Sequence, residues 1–552
     1  MPCHDLPRQR ETYLFSTHPS DAQVPLMTFK NELTYLHAAE AREEERFHET
    51  YESAVKAVSE DFSEKQELSN VINGKPVKSK GKWLKKSPAD TTLVMAKMQA
   101  GDKEDVNKAV KAARTAFKSW SQTEPSERVK VFQEAARLLS DHKYEISALL
   151  TFDNGKNRYE AMADVDEAID FMRFYAAEMD KNDGYSTPLA TAYKGEKSMS
   201  FLRPYGVWAV VCPFNFPVAI SLGMSSAAMI TGNTVVVKPS TLAPYALRKV
   251  FDILDEAGLP PGVANYIAGS GKDVGEPLVA HPDIDGVVFT GSKAVGYDII
   301  RKSLRDKPIP VIAEMGSKNP VIVTLDADME KAVEGVINSA FGYGGQKCSA
   351  ASRLYVQMRI KDDFEEELVK RCGELKVMHP ALLDCSYGPV IEEKKVDDFE
   401  KYVAMGKKDG KVLCGGHRLT DGYLGHGYYV EPTIISELPE DHWMMKNELF
   451  LPILTTQPFD QLEDAVAMAN STSFGLTAGI FSEEEDDMDY FFKNIESGVV
   501  YSNRRRGACT GAMVGAQAFV GWKASGSTGK GTGSVWYLQQ FMREQTRTVV
   551  LG

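Results

Sequence analysis

A cysteine set among glycines and small residues, in Tyr343-Gly344-Gly345-Gln346-Lys347-Cys348-Ser349-Ala350, is sterically open enough to act as a nucleophile. Its thiolate would be favoured if backbone N–H groups of a turn or helix start point at the sulfur. The competing reading is a small buried hydrophobe, the commoner fate of a free cysteine. Glu314, in Glu314-Met315-Gly316-Ser317-Lys318-Asn319-Pro320, closes an apolar run and is expected at the carboxyl edge of a sheet, where ligands bind. A semi-apolar cleft would raise its pKa towards the range of a general base. A solvated carboxylate capping a strand is the alternative. Asn215 stands in Pro213-Phe214-Asn215-Phe216-Pro217. An amide held between two aromatics and two prolines is a fixed N–H donor of the kind an oxyanion hole needs. It could equally satisfy turn carbonyls.

A second set fits a nucleotide. Lys238-Pro239-Ser240 follows the run Thr234–Val237, where a lysine can reach a ribose hydroxyl or a phosphate. Thr290-Gly291-Ser292-Lys293-Ala294-Val295-Gly296 ends a strand and opens a helix, and a helix N-terminus offers free N–H groups to a pyrophosphate. Gly269-Ser270-Gly271-x-x-x-Gly275 is one residue longer than the usual dinucleotide fingerprint, and no suitable acid follows it.

These residues need elements to hold them. Short β-branched runs alternate with helical stretches through the middle of the chain: Val207–Val211, Val218–Ile230, Thr234–Val237, Tyr245–Ala257, Asn265–Ile267, Gly286–Thr290 and Pro310–Ala313. Fully apolar strands joined by helices predict a parallel sheet covered on both faces. A second series follows Glu314, with Val321–Leu325 and Arg353–Gln357 as strands and Met329–Tyr343 as a helix. Asp105–Trp120, the segment opening at Pro125, and Val165–Ala177 show helical spacing. Glu32–Phe62 reads as one surface helix with a solvated charged face. The Val549-Val550 end suits a strand that pairs elsewhere, with another subunit as one partner.

Composition bounds the class. The 552 residues are 43% hydrophobic and 26% charged, with net charge −13, which argues against a nucleic-acid partner. Seven cysteines without regular spacing fit free thiols in a reducing compartment, and zinc spacing is missing, so no metal is expected. No apolar run approaches a bilayer span, so no membrane partner is expected either. The expected compartment is the cytoplasm, or the mitochondrial matrix in a eukaryote.

In order and separation, P-F-N-F-P, V-V-V-K-P-S, F-T-G-S, E-M-G-S-K-N-P, G-G-Q-K-C-S-A and E-L-F-L-P resemble the aldehyde dehydrogenase superfamily over roughly residues 70–550. The resemblance implies an α/β fold with a Rossmann-type nucleotide-binding domain, an α/β catalytic domain and a small β oligomerisation arm. It implies Cys348 as nucleophile, Glu314 as base for the hydrolytic water, and Asn215 with the Cys348 N–H as oxyanion hole. Pro213, Phe214, Lys238, Ser240, Gly271, Gly275, Thr290, Gly291, Ser292 and Val295 would line an NAD or NADP site. Glu448 would take the nicotinamide ribose and Phe450 the nicotinamide. The implied division is an extension over 1–62, a cofactor domain over 63–313 with a hairpin near 189–204, a catalytic domain over 314–500, and an anchor loop with an oligomerisation segment over 501–552. A homodimer or larger homo-oligomer is implied as well.

Together with Thr510–Phe519, the cysteine motif is similar to the L-glutamate γ-semialdehyde dehydrogenase branch. That implies Ser349, Gly511 and Ala512 on the substrate's α-carboxylate, since a glycine-centred loop exposes an anion nest. Phe216 and Phe519 would pack on its methylenes, and Glu167 would reach its α-ammonium. Another carboxylate-bearing semialdehyde, or a catalytically silent homologue, are the alternatives. Three residues depart from the pattern: Thr241 where many relatives carry a ribose-binding Glu, Leu451 in place of Gly, and Val520 within the usual Pro-Phe-Gly-Gly. Loss of the Glu leaves room for NADP. The other two changes lie near the expected site.

Overall fold

The computed structural model describes residues 29–304, 307–506 and 513–550. Two seven-stranded sheets form its frame. The first runs Val311–Glu314, Gly286–Thr290, Val207–Val211, Thr234–Lys238, Ala264–Tyr266, Asn70–Ile72, Lys75–Val77 in spatial order. Its first five strands are parallel and the last two antiparallel. Runs such as Thr234–Lys238 are buried along their whole length, as strands covered by helices on both faces must be. The second sheet runs Lys411–Cys414, Thr433–Ser436, Ile453–Phe459, Ala351–Gln357, Asn319–Val323, Thr477–Phe481, Val499–Ser502, parallel except for its first edge.

The helices arise from caps and stripes. Asp102 accepts from the N–H groups of Glu104 and Asp105 and starts Lys103–Trp120, which buries Val106, Ala109, Val110, Ala113 and Trp120. The stretch expected at Val165–Ala177 is part of a longer helix, Arg158–Lys181, capped by Asn157. Its first turns hide from an apolar count because their buried positions include Arg158 and Asp164.

One expectation is corrected. Glu32–Phe62 is two helices, Thr34–Glu40 and Glu44–Glu60, broken where Arg42 takes φ 58°. The second buries Phe47, Tyr51 and Val58, with Phe47 and Tyr51 in an aromatic cluster with Met162. The terminal strand Met542–Val550 pairs within its own chain, antiparallel to Glu196–Pro204 from Met542↔Pro204 to Val550↔Glu196. Ser186–Pro188 completes this three-stranded arm, so the hairpin begins slightly earlier than residue 189. Among the described residues no helix is long and apolar enough to cross a membrane.

Candidate active site

Cys348, Ser349, Glu314, Glu167, Phe216 and Phe519 converge on one cavity, together with Thr290, Phe171, Ile220, Met315 and Thr532. About 540 Å³ of space lies between these residues, solvent at its open mouth included.

The nucleophile loop is a left-handed turn. Tyr343, Gly344 and Gly345 have φ 51°, 61° and 68° in succession. A side chain on Gly345 would collide with the Leu451 carbonyl, so the Gly-Gly pair supplies both the conformation and the close approach. The Tyr343 hydroxyl donates to the Asn154 carbonyl at 2.7 Å and locks the turn. Asn319 fixes the backbone on either side of Ser349. Its amide nitrogen donates to the carbonyls of Cys348 at 2.7 Å and Ala350 at 2.9 Å, and its oxygen accepts from the Thr477 N–H at 3.0 Å.

Burial pushes the Cys348 thiol up, and the Glu448, Glu314 and Glu167 carboxylates push it further, against only its own backbone N–H.

Glu314 ends the edge strand of the first sheet, as its sequence position implies. The segment at 525–527 clasps that edge: Met315 N–H donates to the Ser525 carbonyl at 2.7 Å and Ala313 N–H to Ser527 Oγ at 2.8 Å. Burial raises the Glu314 carboxyl well above its usual range, against one N–H from Gly521. Its Oε2 has no hydrogen-bond partner among the described residues. An unpaired buried carboxyl oxygen beside a thiol is poised to hold or take a proton.

Asn215 is buried, but the cavity wall is formed by its neighbour Phe216 rather than by Asn215. The loop is pinned from the long helix. Asp164 accepts from the Ala219 N–H at 2.6 Å and from Lys156 Nζ at 2.9 Å, and Lys156 sits 3.5 Å from the Phe216 ring centre. Lys347, next to the nucleophile, pairs with Glu160 at 2.6 Å. Sequence reasoning missed Lys156, Glu160, Asp164, Asn319 and Lys347 as site builders. One signal was there: Glu160, Asp164, Glu167 and Phe171 are spaced i, i+4, i+7, i+11, one stripe of a helix facing the site.

The nucleotide-type residues stand at and beyond the carboxyl ends of the first sheet's strands. Lys238 is buried, with Nζ on the Pro239 carbonyl at 2.9 Å, and burial pulls its pKa down to about 8. Gly275 leaves a side chain's width beside the Lys238 stem, and nothing crowds Gly271. Ser240 opens a turn by accepting from the Leu242 N–H at 3.3 Å. Ser292 caps the helix Lys293–Lys302, accepting from Val295 N–H. Gly291 precedes it, where a side chain would strike the Phe289 ring. Glu448 accepts from the Ser317 N–H at 2.8 Å, and burial raises it to about 7. Gly316 leaves the space its carboxylate fills. The Phe450 ring meets Phe214, just after Pro213, edge-on at 5.8 Å.

Leu451 turns into the apolar cluster with Val390, Met444 and Ile453, and Phe519 rather than Val520 faces the cavity, so neither departure contributes a side chain to the wall. Gly511 and Ala512 lie outside the described residues. No group of three or more His, Cys, Asp or Glu side chains that could hold a metal occurs among the described residues.

Residues 77–547 match the aldehyde dehydrogenase family. The chain is 36% identical over 492 residues to the 1-pyrroline-5-carboxylate dehydrogenase of Bacillus cereus, covering 88% of this chain and 93% of that one. Among solved structures it resembles a Thermus 1-pyrroline-5-carboxylate dehydrogenase with bound NAD, with TM-score 0.87, 34% identity, and coverage of 97% of this chain and 100% of that one. It also matches proline utilization A of Bdellovibrio bacteriovorus, with TM-score 0.89 and 33% identity, spanning 97% of this chain but 55% of that longer protein. The chain belongs to the aldehyde dehydrogenase family.

Proposed function

We propose that this chain oxidises L-glutamate γ-semialdehyde, the open form of 1-pyrroline-5-carboxylate, to L-glutamate with NAD(P)+, the second step of proline catabolism. One observation carries the reading: the Cys348 thiol and the Glu314 carboxyl open onto the same small cavity between Phe216 and Phe519. The named relatives support the substrate.

The Cys348 thiol gives its proton to solvent water as Sγ adds to the aldehyde carbon, and the oxyanion of the resulting thiohemiacetal is held by the Asn215 amide and the Cys348 N–H. When bound, NAD(P)+ supplies the acceptor for the hydride that leaves this carbon. Lys238 and Ser292 would hold its adenosine ribose and pyrophosphate, Glu448 the second ribose, and Phe450 the nicotinamide, with Phe214 behind it. Glu314 then takes a proton from water, the hydroxide adds to the thioester carbon, and Cys348 leaves as the carboxylate forms. Phe216 and Phe519 pack on the methylenes, Ser349 with residues 511–512 anchors the α-carboxylate, and Glu167 faces the α-ammonium. The first sheet forms the cofactor half, the second the nucleophile half, and the arm joins subunits of a homo-oligomer.

Reduction of NAD and of NADP is followed at 1-pyrroline-5-carboxylate concentrations spanning KM. The wild-type protein reduces at least one of them, and Cys348→Ala loses turnover by on the order of 10⁴-fold or more. Turnover of simple aliphatic aldehydes with none of the semialdehyde would overturn the substrate.

A further inference from the structure

The N-terminal segment ahead of the first helix lies along the long helix Arg158–Lys181, on the stripe beside the one that faces the cavity. Two aspartates of that helix, one turn apart, receive it. Asp170 accepts from the Asn31 amide nitrogen at 2.8 Å and the Glu32 N–H at 2.8 Å. Asp166 accepts from the Thr34 N–H and hydroxyl, both at 2.7 Å. Glu32 adds a third tie, accepting from Lys143 Nζ and Ser140 Oγ at 2.8 Å each and pairing with Arg173. Both aspartates are buried, so their charge-assisted bonds to the segment stand in for lost water.

The same Asn31 amide nitrogen also donates to the Val514 carbonyl at 3.1 Å. Val514 belongs to a stretch folded against the long helix. Gly515 at φ 76° brings its backbone to within side-chain distance of Phe174 and Phe29, whose rings lie 5.4 Å apart. Gly515 N–H donates to the Gly533 carbonyl at 3.1 Å and Phe519 N–H to the Thr532 carbonyl at 3.0 Å. Gly533 N–H in turn donates to the Tyr175 hydroxyl at 3.2 Å. Phe519 and Thr532 line the cavity from this stretch, and Glu167 and Phe171 line it from the long helix. One side chain near the start of the chain therefore joins the two elements.

We propose that Asn31 is a positioning residue for the carboxylate-bearing end of the substrate: by bridging Asp170 and Val514 it sets the spacing between the helix carrying Glu167 and Phe171 and the stretch leading to Phe519. This rests on L-glutamate γ-semialdehyde being the substrate. Asn31 touches no reacting atom. A substrate with no α-carboxylate or α-ammonium reaches Cys348 without using this spacing, whereas L-glutamate γ-semialdehyde must span it.

The test compares KM and kcat of the full-length wild-type protein and Asn31→Ala for 1-pyrroline-5-carboxylate and for propanal, with thermal unfolding of both. Losing two hydrogen bonds at one wall is expected to raise KM for 1-pyrroline-5-carboxylate about tenfold, while kcat and the propanal KM move less than about twofold. An unchanged KM, or equal rises for both aldehydes, overturns the proposal. Should Asn31→Ala fail to fold, Asn31→Asp, which keeps the volume and loses both donors, is read in the same way. Asp166→Asn loosens the segment at Thr34 and leaves the bridge. It is expected to keep the wild-type KM, and an equal rise there overturns the role of Asn31. Failure of the wild-type protein to oxidise 1-pyrroline-5-carboxylate would count against the substrate reading alone, and the same ratios are then taken with succinic semialdehyde.

Discussion

The two seven-stranded sheets meet at the cavity with opposite polarity. The first presents the carboxyl ends of its strands: the Phe214–Phe216 loop after Val207–Val211, Lys238, Thr290 and Glu314. The second presents amino ends: Cys348 three residues before Ala351–Gln357, Asn319 opening its strand, and Phe450 before Ile453–Phe459. At the first edge helices begin, as at Ala219 and Lys293, so their positive dipole ends lie at that edge. At the second edge a helix finishes, Met329–Phe341, immediately ahead of the nucleophile turn. A helix end offers carbonyls, which do nothing for a thiolate. Burial and the carboxylates of Glu448, Glu314 and Glu167, not a helix end, are what push the thiol up at this edge.

The sharpest way to test that contrast is at Glu314. Glu314→Gln is expected to lower steady-state turnover by on the order of 10²–10⁴-fold, with a single burst of reduced nicotinamide remaining in stopped flow. Because burial raises the carboxyl, its carboxylate form, the one that takes a proton from water, gains population as pH rises. Wild-type kcat should therefore climb as pH rises above the ordinary carboxylate range, and the variant should lose that limb. A flat wild-type profile would count against Glu314 as the base.

A smaller effect is expected at the junction itself. Asn319→Ala leaves the Cys348 carbonyl, the Ala350 carbonyl and the Thr477 N–H without their partner, so about 1–3 kcal/mol of stability should go, read by denaturant unfolding. Turnover should fall with it while the KM for NAD stays put, because the first sheet is untouched. A raised KM for NAD with unchanged turnover would show that the two edges are not separable in this way.

Smallest is the change at Thr241, in the turn just after Lys238. Thr241→Glu places a carboxylate where a 2′-phosphate would lie, and the preference for NADP over NAD should drop about tenfold in kcat/KM. No change in that ratio would remove Thr241 from cofactor choice.

The parallel strands of the first sheet were legible because burial on both faces demands unbroken apolar runs, and Val207–Val211 and Gly286–Thr290 have the predicted bounds. The N-terminal helices were misjudged because Ala-Arg-Glu-Glu-Glu-Arg dominates the count, while Phe47 and Tyr51 find their burial against Met162, over a hundred residues away. The strand at the C-terminus was recognisable by its Val-Val end, but its partner was not, since a nine-residue antiparallel register leaves no local trace. Within the site, Cys348, Glu314, Phe216 and Phe519 could be named from motifs. Lys156 under Phe216 and Asn319 behind Cys348 could not, because their roles are contacts made across separate elements.

By itself the sequence determined which atoms can react: an unhindered thiol after a Gly-Gly turn, a strand-end carboxylate and a lysine at a strand's close. Local steric freedom and apolar periodicity are properties of neighbouring residues, so the chain alone expresses them. Only the tertiary structure decided the buried surroundings of the thiol and which distant elements line the cavity. Desolvation and hydrogen bonding depend on residues far apart in the chain arriving at the same few ångströms, and no pattern along the chain records that meeting.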